Sequence, residues 1–209
     1  MPAWLAAAAE TALKRSLVND VLTTGGSADA HDAQLVGREL ERLPVEALQL
    51  LKDNGIKVVA CRGSITDHRA ELKGVHPRGW PPGMTWDNVP AGRVGNEVVV
   101  AVTGHGSAAG AHVPATGEGH GSQNVVIHEA FHALDGDGAA ARSSSAEFTA
   151  ARNADLATLS PYEKQAGVGG PRETFAESAA RYYGGDANDA ARHPHLNAYW
   201  ATNPLQPKP

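Results

Sequence analysis

His128, Glu129 and His132 place two imidazoles one helical turn apart with a carboxylate beside the first. Side chains four apart share a helix face, so both rings can bind one zinc ion while Glu129 takes a proton from water held there. That is the chemistry of metal-assisted hydrolysis, the core of a zinc peptidase site. A five-residue pattern can arise by chance, so its flanks must carry weight. No helix breaker occurs from Gln123 to Leu134, Ser122 is a candidate N-cap, and Asp135-Gly136 ends the run. Val126, Ile127, Ala130, Phe131, Ala133 and Leu134 cover the side away from the histidines. Three polar groups emerging from a mostly buried helix are costly without partners, which disfavours two merely satisfied core histidines.

A catalytic zinc takes three protein ligands and keeps one position open. Downstream, Asp135, Asp137, Glu147, Glu163, Glu173, Glu177, His193 and His195 are candidates for the third. The two aspartates sit at the helix end and point away, and Glu147 is isolated. Glu173 and Glu177 lie four apart on a segment opened by Gly169-Gly170-Pro171 and closed by Gly184-Gly185, with Phe175, Ala176, Ala179 and Tyr183 supplying apolar packing. One carboxylate on the metal and the next accepting a hydrogen bond from a ligating histidine would draw both from one helix. Spacing alone leaves open which glutamate takes which place.

The elements that must position these groups can be read in outline. Met1 to Ala9 is apolar, but Glu10 interrupts it and no positive charge precedes it, so it reads as an amphipathic helix through about Val21 and not as a signal peptide. Thr23 to Ser27 reads as a linker, dividing the chain into a helix and linker over 1–27 and one domain over 28–209. Two helical segments follow, broken at Pro44 and stopped by Asn54-Gly55. Residues 57–61 and 96–103 are strands rich in valine, separated by an irregular stretch marked by Pro77 to Gly83. The second strand is either an ordinary internal strand or an open edge that pairs with an extended peptide. Residues 104–122 are glycine-rich and irregular. The sum is an α+β fold, a small sheet with a metal-site helix and a second ligand-bearing helix.

Composition narrows the partners. A chain of 209 residues with 42% apolar content buries a substantial core. Its formal charge of −5 with scattered lysines and arginines gives no footprint for nucleic acid. No apolar stretch is long enough for a membrane span, Cys61 alone excludes an internal disulfide, and a monomer is the default.

Beyond the first motif, the runs Leu43-Pro44 through Gly55–Val59, Gly63–Asp67, Pro77–Trp80 and Thr85–Pro90 resemble, in order, the catalytic domain of the anthrax lethal factor family of zinc peptidases. His128–Asp135 and Glu173-Thr174-Phe175-Ala176-Glu177 are similar to that family's two metal-site helices, so the likeness covers roughly residues 43 to 185. It implies a zincin-like metallopeptidase fold, one catalytic Zn²⁺, Glu173 as third ligand with Glu177 behind it, and a peptide or protein substrate. It also implies that Tyr162 stabilises the reacting carbonyl, although Tyr162 lies further before Glu173 than in the family, the excess falling in Ala166–Gly170. Tyr182 and Tyr183 are the fallbacks, with helix-core roles as their plainer reading. A secreted or delivered bacterial effector follows from the same likeness.

Two rivals stand beside this. A deformylase-like amide hydrolase would need a cysteine ligand, and Cys61 lies far upstream; a non-catalytic peptide-binding domain would have no use for Glu129. His105, His112 and His120 either line the cleft or are simply solvated. Trp80 and Trp86 pack the irregular stretch or wall the groove.

Overall fold

The computed structural model describes residues 2–77, 82–136 and 138–206. Helix α1, Ala3–Val21, runs straight into strand β1, Leu22–Thr24. The linker expected at Thr23–Ser27 is corrected at its start, since β1 pairs in parallel with Val58, Val59 and Ala60. The cause is upstream: Leu17, Val18 and Val21 are buried in the main core, so the chain leaves α1 already against the sheet.

Helices α2, Ala30–Leu40, and α3, Val45–Asp53, follow, with Pro44 fixing the break between them. Asp29 caps α2 through a reciprocal exchange with Asp32, satisfying orphan N–H groups at the helix start. Strands β2, Lys57–Arg62, β3, Ala91–Val94, and β4, Glu97–Val102, complete a four-stranded sheet in the order β1-β2-β4-β3. β2 and β4 run parallel, while β3 and β4 form an antiparallel hairpin about Gly95-Asn96. β4 is therefore internal, and the open edge beside it belongs to β3.

Alternation along the strands explains why both faces are apolar. Val58, Ala60, Val98, Val100 and Val102 face the helical core, whereas Val59, Cys61, Val99 and Ala101 face a smaller core made with Ile65 and Val89, against which Trp86 packs. The irregular stretch thus covers the second face of the sheet. Trp86 packs it as expected, so close to β3 that a Cβ on Gly92 would lie 2.8 Å from its ring. Trp80, with Arg78, Gly79 and Pro81, lies outside the described residues, as does Asp137.

The remaining helices are α4, Val125–Asp135, α5, Ala146–Asp155, α6, Gly169–Gly184, α7, Asp189–Arg192, and α8, Pro194–Ala201. α4 begins two residues later than the sequence suggests. Its cap is Asn124, whose side chain accepts from Ile127 N–H at 3.1 Å, and not Ser122. α4 and α6 are joined by aromatics: the Phe131 ring centroid lies 5.8 Å from Phe175, 5.6 Å from Tyr183 and 5.1 Å from Trp200 of α8. Tyr183 accordingly takes the packing role. Gly185, in the left-handed region at φ 83°, ends α6 as a helix C-terminus requires.

Candidate metal centre

All of α4 from Val125 to Asp135 is buried except the partly exposed Glu129 and His132, so its one polar seam emerges where the sequence places the motif. α6 lies beside it and brings Glu173 and Glu177 to that seam. His132 Nε2 sits 3.0 Å from His128 Nε2 and 3.1 Å from Glu173 Oε2, and His128 Nε2 lies 3.5 Å from the same oxygen. These three atoms form a closed triangle. Ligand atoms about 2.0–2.1 Å from a tetrahedral zinc lie about 3.3 Å apart, which matches the edges of this triangle.

Behind the triangle, Glu177 takes the far side of His128, 2.9 Å from Nδ1. An ionised carboxylate only accepts, so Nδ1 carries the hydrogen and Nε2 presents its lone pair to the metal position. Against burial, the Glu177 pKa is lowered first by the hydrogen bond to His128 and in smaller part by that to Ser122, the residue expected to cap α4. No spacing rule would have revealed that contact in the sequence. Replacing Glu177 with Gln should weaken metal binding roughly ten- to a hundredfold. Competition against a chromophoric chelator measures this, and an unchanged affinity would remove Glu177 from the site.

The electrostatics favour a cation. Burial opposes charge on His128, but hydrogen bonds to Glu173 and Glu177 and the nearby Glu129 charge outweigh it and lift its pKa to about 10. Burial likewise works against the Glu173 carboxylate, yet hydrogen bonds to His128 and His132 hold its pKa well below the ordinary range. The carboxylates that raise the His128 pKa also favour a divalent ion at the triangle, which takes the place of a proton on Nε2 when it binds.

Glu129 makes no hydrogen bond or ion pair among the described residues, though it lies close enough to act electrostatically on His128 and Tyr162. A half-buried carboxylate without a structural partner is free for chemistry. Tyr162 is 55% exposed, yet it lies near Glu173 and Glu129. Loss of solvent, then the charge and hydrogen bonding of Glu173, then Glu129, raise its phenol pKa and keep it a donor. The longer loop before Glu173 therefore still delivers a tyrosine to the cluster.

The other candidates lie elsewhere. Asp135 accepts from Ser143 N and Oγ at 2.6 and 2.8 Å, Glu147 is exposed on α5, and Glu163 binds Arg181. His193 pairs with Asp189, and His195 with Asp155. The loop histidines fasten the glycine-rich segment: His105 pairs with the fully buried Asp32, His112 with Glu118, and His120 with Ser122 N and Pro114 O. Cys61 points to the far face of the sheet, where burial pushes its thiol up to about 12, so it is no metal ligand.

The profile of the family described as anthrax toxin lethal factor, N- and C-terminal domain, matches residues 8–193. The Pro-Pro endopeptidase of Paenibacillus alvei is 34% identical over 171 residues, which span 80% of this chain and 73% of that protein. The Pro-Pro endopeptidase of Clostridioides difficile is 33% identical over 173 residues, or 81% of this chain and 73% of its own length. A solved structure of the Paenibacillus alvei enzyme superposes with a TM-score of 0.70 at 29% identity, covering 90% of this chain and 99% of the other.

Proposed function

The chain belongs to the anthrax toxin lethal factor family, and from this premise we propose that it is a zinc-dependent endopeptidase whose substrates are peptides or proteins containing consecutive prolines, cut between them. The observation that carries the metallopeptidase reading is the triangle of His128 Nε2, His132 Nε2 and Glu173 Oε2, with edges of 3.0 to 3.5 Å, and the likeness to the two Pro-Pro endopeptidases supports the choice of bond. Zn²⁺ held there by His128, His132 and Glu173 supplies a Lewis acid that polarises the scissile carbonyl and makes water acidic near neutral pH.

The residues do the rest. Glu129, with no competing partner among the described residues, takes a proton from water and returns it to the leaving nitrogen. In a Pro-Pro bond that nitrogen bears no hydrogen, so delivery is indispensable. Tyr162 donates to the oxygen on which negative charge develops, and its raised pKa keeps the hydroxyl protonated for that purpose. Glu177 keeps His128 in the tautomer that ligates. The substrate lies extended along β3: Ala101 N–H bonds Pro90 O at 2.8 Å, so in this antiparallel ladder Ala91 and Arg93 turn their backbone groups to the open edge. A bound peptide adds one more strand there, beside α4.

Glu129 also decides against the non-catalytic alternative, since a domain that only captures peptides gains nothing from a half-buried unpaired carboxylate. No helix among the described residues is long and apolar enough to cross a membrane. We place the action of this monomer outside its cell or in a cell that receives it, on family kinship.

Matched peptides centred on Pro-Pro, Pro-Ala and Ala-Pro, incubated with zinc-loaded protein and read by mass spectrometry, test the specificity. Cleavage confined to the Pro-Pro peptide is expected, and equal cleavage of all three would overturn it. Tyr162→Phe should lower kcat about a hundredfold with KM little altered. Full turnover in that variant would take Tyr162 out of the reaction.

A further inference from the structure

Residues 156–168, between α5 and α6, carry Tyr162 and form turns without regular structure, exposed except at Leu159 and Glu163. Glu163 is only 2% exposed. Its Oε1 receives Arg181 Nη2 at 3.0 Å, and its Oε2 receives Ser160 N–H and Oγ–H at 3.1 and 2.8 Å. Even its carbonyl is held, by Arg152 Nη2 at 2.7 Å and Thr174 Oγ1 at 3.1 Å. Arg181 is fixed in turn by Asp189, 2.9 Å from Nε, which also bonds His193. A buried ion pair recovers its desolvation cost only with such geometry, and a leucine would hold a loop more simply. What the pair adds is direction.

The direction is set by where Arg181 sits. It lies on α6, one turn beyond Glu177 and two beyond Glu173 on the same face. The loop residue next to Tyr162 is thereby tied to the helix that supplies the metal-site carboxylates. Gly170 closes the arrangement, because a Cβ there would lie 2.3 Å from Gln165 O and 3.0 Å from Glu163 O.

We propose that the buried Glu163–Arg181 pair is a positioning latch that sets the Tyr162 hydroxyl against the reacting carbonyl. It rests on the reading of Tyr162 given above. With zinc-loaded full-length chain and a Pro-Pro peptide, Glu163→Gln should lower kcat on the order of tenfold or more and leave KM within about twofold. The loss should vanish in a Tyr162→Phe background, where the double variant matches Tyr162→Phe alone. Trypsin cleavage after Lys164, an activity-independent readout, should accelerate about tenfold as the loop is released.

Wild-type kcat in folded Glu163→Gln, or a loss that adds to that of Tyr162→Phe, overturns the latch while leaving Tyr162 in place. Full turnover in Tyr162→Phe overturns the reading of Tyr162 and the latch with it. Should Glu163→Gln fail to fold, Ser160→Ala, which deletes one hydrogen bond to the same carboxylate, carries the test. A few-fold fall in kcat, absent beside Tyr162→Phe, supports the latch, and an unchanged kcat overturns it.

Discussion

Glu129→Ala is expected to retain one zinc ion per chain and to lose turnover by about a thousandfold or more. The two halves of this result come from different parts of the geometry. Metal retention follows because the triangle uses His128, His132 and Glu173 alone, and Glu129 touches none of them by hydrogen bond or ion pair. Loss of turnover follows because Glu129, which makes no hydrogen bond or ion pair among the described residues, is the group that takes the water's proton and returns it to the departing nitrogen in the proposed mechanism. Zinc analysis together with single-turnover cleavage checks both. Activity near that of the parent protein would sink Glu129 as the base, whereas loss of zinc would place it among the ligands.

His132→Ala, or exhaustive chelation, is expected to abolish activity and leave the fold standing. The helices that bear the site are not held together by metal. Phe131, Phe175 and Trp200 interlock between α4, α6 and α8, and their burial contributes on the order of 2–3 kcal/mol each. Far-UV circular dichroism should stay as in the parent protein, with a shift of a few degrees in the melting midpoint. Wholesale unfolding on chelation would show that the metal, and not the aromatic cluster, assembles the two helices. Small zinc domains behave that way because they lack a core of this size.

The metal site was legible because helices translate spacing into position. His128, His132, Glu173 and Glu177 each lie four residues from a partner, and the capped or glycine-bounded segments around them could only be helical. β2 and β4 were equally plain, being unbroken valine runs. β3 was not, since Ala-Gly-Arg-Val carries no strand signature and owes its conformation to the hairpin with β4 and the cover of Trp86. Of the two readings open for β4, the internal one holds, and the edge belongs to the strand that carries no signal. β1 escaped notice for a similar reason: Leu-Thr-Thr before two glycines reads as a linker until α1 is seen to deliver it against β2. Glu163 and Arg181 show the limit most clearly. Eighteen residues apart with no shared period, they meet only because the loop folds back on α6.

Strand β1 has a consequence for the molecule's behaviour in concentrated solution. An open sheet edge risks pairing with a second copy of the same chain, which is how strands polymerise. Here the far side offers only Leu22, Thr23 and Thr24 before Gly25 and Gly26 turn the backbone away, Gly26 at φ 58°. Three residues are too few to recruit a neighbour. The β1 margin of the sheet is thus kept short and turned away, which works against self-assembly.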